Sequence, residues 1–251
     1  MSKDWDRHVV EAEELARTEG FQRLRDEILL LARPQTEDVV VDVGAGTGLL
    51  TLALAPAVEK VWAIDVSAAM IDYLTTKAAS GEFENVETAT ATAVSLPLVD
   101  GAASLVVSNY CYHHLSDADK ERGIAEILRV LRPGGRVVIG DMMFRVQVAD
   151  PRTRRVVMSK IRSVLGRGPA GLLRVIKNAL RLLTGRWEQP ADAEWWRRAL
   201  KRTGFCDIEL QLLEHEGGII SARRPVRARH GRRWPRARGS RGSGRAVARA
   251  R

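Results

Sequence analysis

The segment Gly44-Ala45-Gly46-Thr47-Gly48 follows directly on a valine-rich run, Asp38 to Val43, and leads into a stretch that reads as a helix, Leu49 to Ala57. Glycines there permit positive φ angles and close approach of the backbone to a ligand, while the helix behind them offers unpaired N–H groups. The spacing is GxGxG. A dinucleotide pattern would need a third glycine where Leu49 stands, and a phosphate-cradling loop would need a Lys-Ser or Lys-Thr pair. A second apolar run, Val61 to Asp65, ends on a carboxylate placed to bind ribose hydroxyls. Loop and acid together suit a nucleoside ligand that carries no pyrophosphate.

Groups able to take a proton gather after a fourth apolar run, Ser104 to Asn109, in Asn109-Tyr110-Cys111-Tyr112-His113-His114. His113, Tyr112 and Asp141 are the candidate general bases, their basicity tuned by burial. His113 and His114 are neighbours and point in different directions, so at least one of them is expected to be structural. Neither a carboxylate cluster nor a His/Cys spacing stands in this region, and no metal site is expected.

These residues need a sheet to bring them together. Apolar runs at 38–43, 61–65, 86–90, 104–109 and 136–141 alternate with helical stretches at 49–57, 68–79 and 119–131, the last ended by Pro133-Gly134-Gly135. Two closing strands, Phe205 to Leu213 and Gly218 to Arg223, follow a helix over Ala193 to Thr203. Such alternation predicts an α/β fold, a doubly wound, mostly parallel seven-stranded sheet in which ligands sit at the carboxyl ends of the strands. Two N-terminal helices, Asp6 to Ala16 and Phe21 to Ala32, are expected to pack on or over it. The predicted layout is N-terminal helices at 1–36, a main domain at 37–225 with a helical insert at 145–190, and a tail at 226–251.

The chain of 251 residues is 45% hydrophobic and 28% charged, within the globular range, which excludes fibrous and wholly disordered architectures. The net charge of +9 is uneven. Residues 226–251 carry ten arginines and no acid, leaving 30 basic against 31 acidic residues elsewhere. Rich in Arg, Gly and Ser without hydrophobic periodicity, the tail is expected to be disordered. The insert places apolar residues such as Val157, Ile161, Leu172 and Ile176 at helical spacing among lysines and arginines. Two basic amphipathic helices are expected, fit to cover an acceptor pocket or to rest peripherally on anionic lipid. No signal peptide or membrane span is expected, and Cys111 and Cys206 read as reduced thiols in the cytoplasm.

A nucleoside without pyrophosphate points to S-adenosylmethionine. The chain resembles the class I S-adenosylmethionine-dependent methyltransferases, in particular the type 11 branch related to the ubiquinone and menaquinone enzymes. The resemblance runs from about Asp38 to Asp141 on VDVGAGTG, AIDVSAAM, LPLVDG, NYCYHHL and ILRVLRPGGRVVIGD. It implies that Gly44, Ala45, Gly46 and Gly48 wrap the methionine part of the cofactor, with Asp42 helping to place its amino group, and that Asp65 holds the ribose. It also implies cofactor contacts from Val66, Met70, Ala93 and Asn109, with Met70 near the adenine and the Ala93 N–H meeting its ring. Two positions depart from the pattern. Thr92 and Ser104 stand where family members commonly carry Asp: at Thr92 the bond to the adenine amino group must come from a hydroxyl or be lost, while the Asp usual at 104 is often structural, so Ser104 puts little of the functional inference in doubt.

The implied activity is methyl transfer to a small, apolar or aromatic acceptor at oxygen or carbon. An RNA or protein methyltransferase using the basic tail, and a cofactor-binding protein without catalysis, are the alternatives. Against nucleic acid stand the acidic body and NYCY at Asn109 to Tyr112, where an Asn-Pro-Pro-Tyr motif would be expected.

Overall fold

A computed structural model describes residues 4–143, 189–213 and 217–226. Seven strands form one sheet: β1 (Val39–Val43), β2 (Lys60–Asp65), β3 (Val86–Thr90), β4 (Ala103–Asn109), β5 (Leu131–Met142), β6 (Cys206–Leu212) and β7 (Gly217–Arg223). Their order is β3-β2-β1-β4-β5-β7-β6. The first five are parallel and β7 runs antiparallel to both neighbours. This is the expected doubly wound sheet, with the reversal of strand order between β1 and β4.

The helices are α1 (Val9–Ala16), α2 (Glu19–Ala32), α3 (Thr51–Leu54), α4 (Ala68–Ser80), α5 (Asp117–Val130) and α6 (Ala193–Thr203). Serine and aspartate caps set where three of them start: Ser67, Ser116 and Asp192 each accept the backbone N–H three residues on, Met70, Asp119 and Trp195. Alternate residues of the central strands supply two buried layers, as the pleat requires. Val41, Val106, Val137 and Ile139 pack with Ile124 and Ile127 of α5 and Trp196 and Leu200 of α6. Val40, Leu105, Val107 and Val138 meet Leu24 and Ile28 of α2 on the other face.

Several boundaries differ from expectation. The stretch after the glycine loop is a single turn of α3 followed by a 3-10 turn, Ala55–Ala57, because Pro56 cannot donate to a continuing helix. The first N-terminal helix opens as a separate 3-10 turn, Trp5–His8. Helix α5 stops at Val130, before the Pro-Gly-Gly expected to end it: Leu131 already pairs with Ala103, and the register shifts before Leu105 pairs with Arg136. The insert up to 188 and the tail beyond 226 lie outside the described residues.

At the amino edge of the sheet the Asp38 carboxylate, 2% exposed, joins three strands. It accepts the Ser104 hydroxyl at 2.6 Å and the Arg136 guanidinium at 2.6 Å, and the Ser104 oxygen in turn accepts the Val39 N–H. Ser104 is thereby a structural link, not a weakened ligand contact. Among the described residues no helix is long and apolar enough to cross a membrane.

Candidate functional site

The carboxyl ends of β1, β2, β4 and β5 converge on the glycine loop. Gly44, Gly46 and Gly48 all have positive φ, yet their surroundings differ. A Cβ on Gly44 would lie 2.5 Å from the Cys111 sulfur, and one on Gly48 would meet Leu74. A Cβ on Gly46 would meet nothing within 4 Å. The outer glycines serve close packing, while Gly46 faces open space that a ligand can occupy.

Asp65 holds this loop from the next strand. Its Oδ2 accepts the Gly46 N–H and its Oδ1 the Ser67 N–H, each at 2.9 Å. Burial pushes its carboxyl above the ordinary value, against the pull of the Ser67, Gly46 and Val66 N–H groups. Asp42 is buried more deeply and accepts the Thr51 hydroxyl at 2.6 Å. Burial raises its pKa to about 7. Asp42 therefore acts on the loop's surroundings through Thr51. Met70 is buried at the start of α4, Val66 is exposed at the strand end, and the exposed Thr92 forms an isolated bridge with Ser95 just before the half-buried Ala93.

Beyond β4 the chain turns through Tyr110, whose φ of 52° is costly for a bulky residue and is held by a 2.8 Å bond from its N–H to the Gly140 carbonyl. The 3-10 turn Tyr112–His114 follows. Its three residues per turn aim successive side chains about 120° apart. Tyr112 is thus turned inward: it is fully buried, its ring edge meets Trp196 at 5.6 Å, and its hydroxyl has no partner among the described residues. Burial drives its phenol far above the ordinary value. Tyr112 is a core residue, and its expected candidacy as a base is withdrawn.

His113 and Asp141 were separate candidates, and the structure joins them. Asp141 Oδ1 lies 2.6 Å from His113 Nδ1, and Oδ2 accepts the His113 main-chain N–H at 2.9 Å. A third bond, from the Met142 N–H at 2.7 Å, completes the carboxylate. Acceptance by a carboxylate places the ring proton on Nδ1 and the free lone pair on Nε2. His114 departs from its neighbour yet touches it, with ring centroids 3.8 Å apart, and meets Trp5 on its other side at 4.5 Å. Tyr110 lies between Phe21 and His113, at 5.1 and 5.6 Å. Four further rings therefore surround the dyad: Tyr110 and His114 touch His113, and Phe21 and Trp5, both from the N-terminal elements, pack behind them.

Sequence reasoning missed several contributors. Asp6 accepts the Ser67 hydroxyl at 2.6 Å and the Ala69 N–H at 3.2 Å, tying the N-terminal turn to the start of α4. Lys77 donates to Glu13 and to the Thr47 carbonyl of the loop. No motif announces these contacts, because each joins residues thirty or more apart in the chain. The Asn109 amide oxygen is buried at the end of β4 without a partner among the described residues, and an ammonium or hydroxyl donor there would satisfy it.

Open space at Gly46, a carboxylate at the end of β2 and an orphan acceptor at Asn109 form a cradle that fits a nucleoside bearing an amino-acid side arm. Residues 40–135 match the family model described as a methyltransferase domain. An uncharacterized methyltransferase of Oceanobacillus iheyensis is 36% identical over 129 residues, 49% of this chain and 56% of that one. The uncharacterized methyltransferase YcgJ of Bacillus subtilis is 34% identical over 110 residues, 44% of this chain and 43% of its own. Its crystal structure superposes with a TM-score of 0.59 at 18% identity, covering 81% of this chain and 98% of that one. A SAM-dependent methyltransferase from Aquifex aeolicus gives a TM-score of 0.61 at 17% identity, covering 86% and 98%. The chain spans about half the length of the curated relatives it matches.

Proposed function

From the match of residues 40–135 to a methyltransferase domain we propose that the protein is an S-adenosylmethionine-dependent methyltransferase that acts on a small, apolar or aromatic acceptor at oxygen or carbon. The observation that carries this reading is the buried His113–Asp141 pair, whose Nε2 has no hydrogen bond among the described residues, with Phe21, Tyr110, His114 and Trp5 around it. When bound, S-adenosylmethionine supplies a methyl group on a sulfonium already activated for in-line displacement, so holding the acceptor about 3 Å from it provides much of the rate.

The chain's own residues do the rest. Gly44, Ala45, Gly46 and Gly48 follow the methionine part, and the Asn109 oxygen accepts from its amino group. Asp65 retains a lone pair on each oxygen for the ribose hydroxyls while still holding Gly46 and Ser67. Val66, Met70, Thr92 and Ala93 border the adenine. As a phenol or enol acceptor attacks, His113 Nε2 receives its proton, and the Asp141 carboxylate stabilises the imidazolium that forms. The aromatic rings favour a flat, apolar acceptor by stacking. With Cys111 and Cys206 unpaired, the reading is of a cytoplasmic protein. The basic insert, 145–190, is a proposed peripheral contact with anionic lipid, and nucleic acid is not the proposed partner.

Titration calorimetry with S-adenosylmethionine and S-adenosylhomocysteine, followed by mass detection of methyl transfer to a panel of quinols and phenols, tests this. Binding by the wild type with a methylated phenol or quinol supports it. Absence of binding overturns it. Methylation of RNA that is lost when the chain is cut after Val226 would replace it with the tail-directed alternative.

A further inference from the structure

The turn that carries His113 is one 3-10 turn with two bonds of its own, the His114 N–H to the Cys111 carbonyl and the Leu115 N–H to the Tyr112 carbonyl. So short a turn does not hold its shape alone. Asp141 grips His113 from one side. On another side the Gln189 main-chain N–H donates to the His113 carbonyl at 2.7 Å. One residue earlier, Tyr112 is locked edge-on against the fully buried Trp196. Two residues later, the Leu115 carbonyl accepts from the buried Lys120 ammonium at 2.7 Å, which lies 5.8 Å from the Trp195 ring. Two direct ties therefore join residues 112 and 113 to residues 189–196, and a third links Leu115 to Trp195 through Lys120 of α5.

We propose that the segment from Gln189 to Trp196, which lies outside the residues shared with the family model, is a positioning element for His113. The Gln189 N–H fixes the carbonyl and Trp196 fixes the preceding ring, so that with Nδ1 pinned to Asp141 the Nε2 atom has one location. Displacements of about 1 Å at a reacting group can cost a hundredfold in rate. Gln189 and Trp196 are positioning residues, since neither touches the reacting atoms. The inference rests on the reading of His113 as the base.

The test compares Gln189→Pro, which deletes the donor, with Gln189→Ala, which keeps it. Residue 189 already precedes Pro190 and so already favours extended backbone. Long-range 1H–15N spectra of histidine-labelled protein saturated with S-adenosylhomocysteine read the His113 tautomer and the exchange of its Nδ1 proton with water. The wild type and Gln189→Ala should show a single Nδ1–H tautomer. Gln189→Pro should lose that single pattern and exchange the proton about tenfold faster or more, with S-adenosylhomocysteine affinity unchanged. Trp196→Phe, which keeps an aromatic ring but loses part of the edge contact and leaves a void beside Tyr112, should move the same signals in the same direction and serves if the proline variant does not fold. An unchanged tautomer and exchange rate in the folded variants overturns the positioning role alone. A wild-type His113 without the Nδ1–H tautomer overturns the reading of the base itself.

Discussion

The Asp65 carboxylate accepts the Gly46 N–H at 2.9 Å, so the residue that ends the second strand holds in place the loop that follows the first. One side chain shapes the loop and keeps a lone pair on each oxygen, which the proposed function assigns to a ribose. Asp65→Ala should therefore lose cofactor affinity by two routes. Loss of a charge-assisted contact worth about 1.5–3 kcal/mol corresponds to a roughly 10- to 150-fold weaker Kd by calorimetry. Asp65→Asn, which retains one acceptor oxygen, should fall between. Equal affinity in all three proteins would remove Asp65 from the site.

Gly44 and Gly46 should separate folding from binding. Alanine at 44 drives a methyl into Cys111 and should lower the melting temperature sharply. At 46 there is space, so Gly46→Ala meets only the left-handed backbone cost of about 1–2 kcal/mol, while the added methyl occupies the cofactor's path. The expected pattern is a folded Gly46→Ala protein with weak S-adenosylmethionine binding. Retained binding there would show that the ligand runs elsewhere.

Asp141→Asn keeps the size of the side chain but presents an amide to His113, favouring the wrong tautomer. With a phenolic acceptor, kcat should fall about 10²- to 10⁴-fold, the range of general-base assistance, and the Kd for S-adenosylmethionine should not move. An acceptor that attacks without losing a proton should be nearly insensitive to the change. A parallel loss of cofactor binding would mean that the variant disrupts the turn instead of the proton transfer.

Burial holds the Asp42 carboxyl up at about 7 in the folded chain, against an ordinary value of 3.8. Between those values the folded state keeps a proton that the unfolded state has released, so this residue's contribution to stability falls as pH rises through the window. Asp42→Asn has no such proton. Its melting temperature relative to the wild type should climb from pH 4 to about pH 7.5, as followed by circular dichroism. A difference that stays flat with pH would contradict the raised carboxyl.

Ser104→Asp would restore the acid that the family resemblance leads one to expect, and it should destabilise this protein. The Ser104 hydroxyl donates to Asp38 at 2.6 Å, and a carboxylate there would set two negative charges side by side with Arg136 shared between them. The loss of melting temperature should be larger at pH 8 than at pH 4, where one carboxyl can protonate. Ser104→Asn, without the charge, should show no such pH dependence. Equal behaviour of the two variants would mean that steric crowding, not charge, decides.

The amino-acid sequence by itself determined the sheet and the glycine loop at its edge. A short, valine-rich run such as Val39 to Val43, bounded by glycine, reads as a buried strand, and Gly44 to Gly48 with Asp65 is local chemistry set at strand ends. Only the tertiary structure decided how the turn after β4 is arranged. Periodicity says nothing about a left-handed Tyr110 followed by a single 3-10 turn, so the sequence favours His113 over Tyr112 and His114 without showing that the turn sends Tyr112 into the core and His113 onto Asp141. The same holds for Ser104, whose partners appear only when Asp38 and Arg136 are placed beside it, and for Gln189, whose main-chain N–H reaches His113 across more than seventy residues. Such contacts depend on which elements the fold stacks together, and main-chain donors leave no trace in residue type.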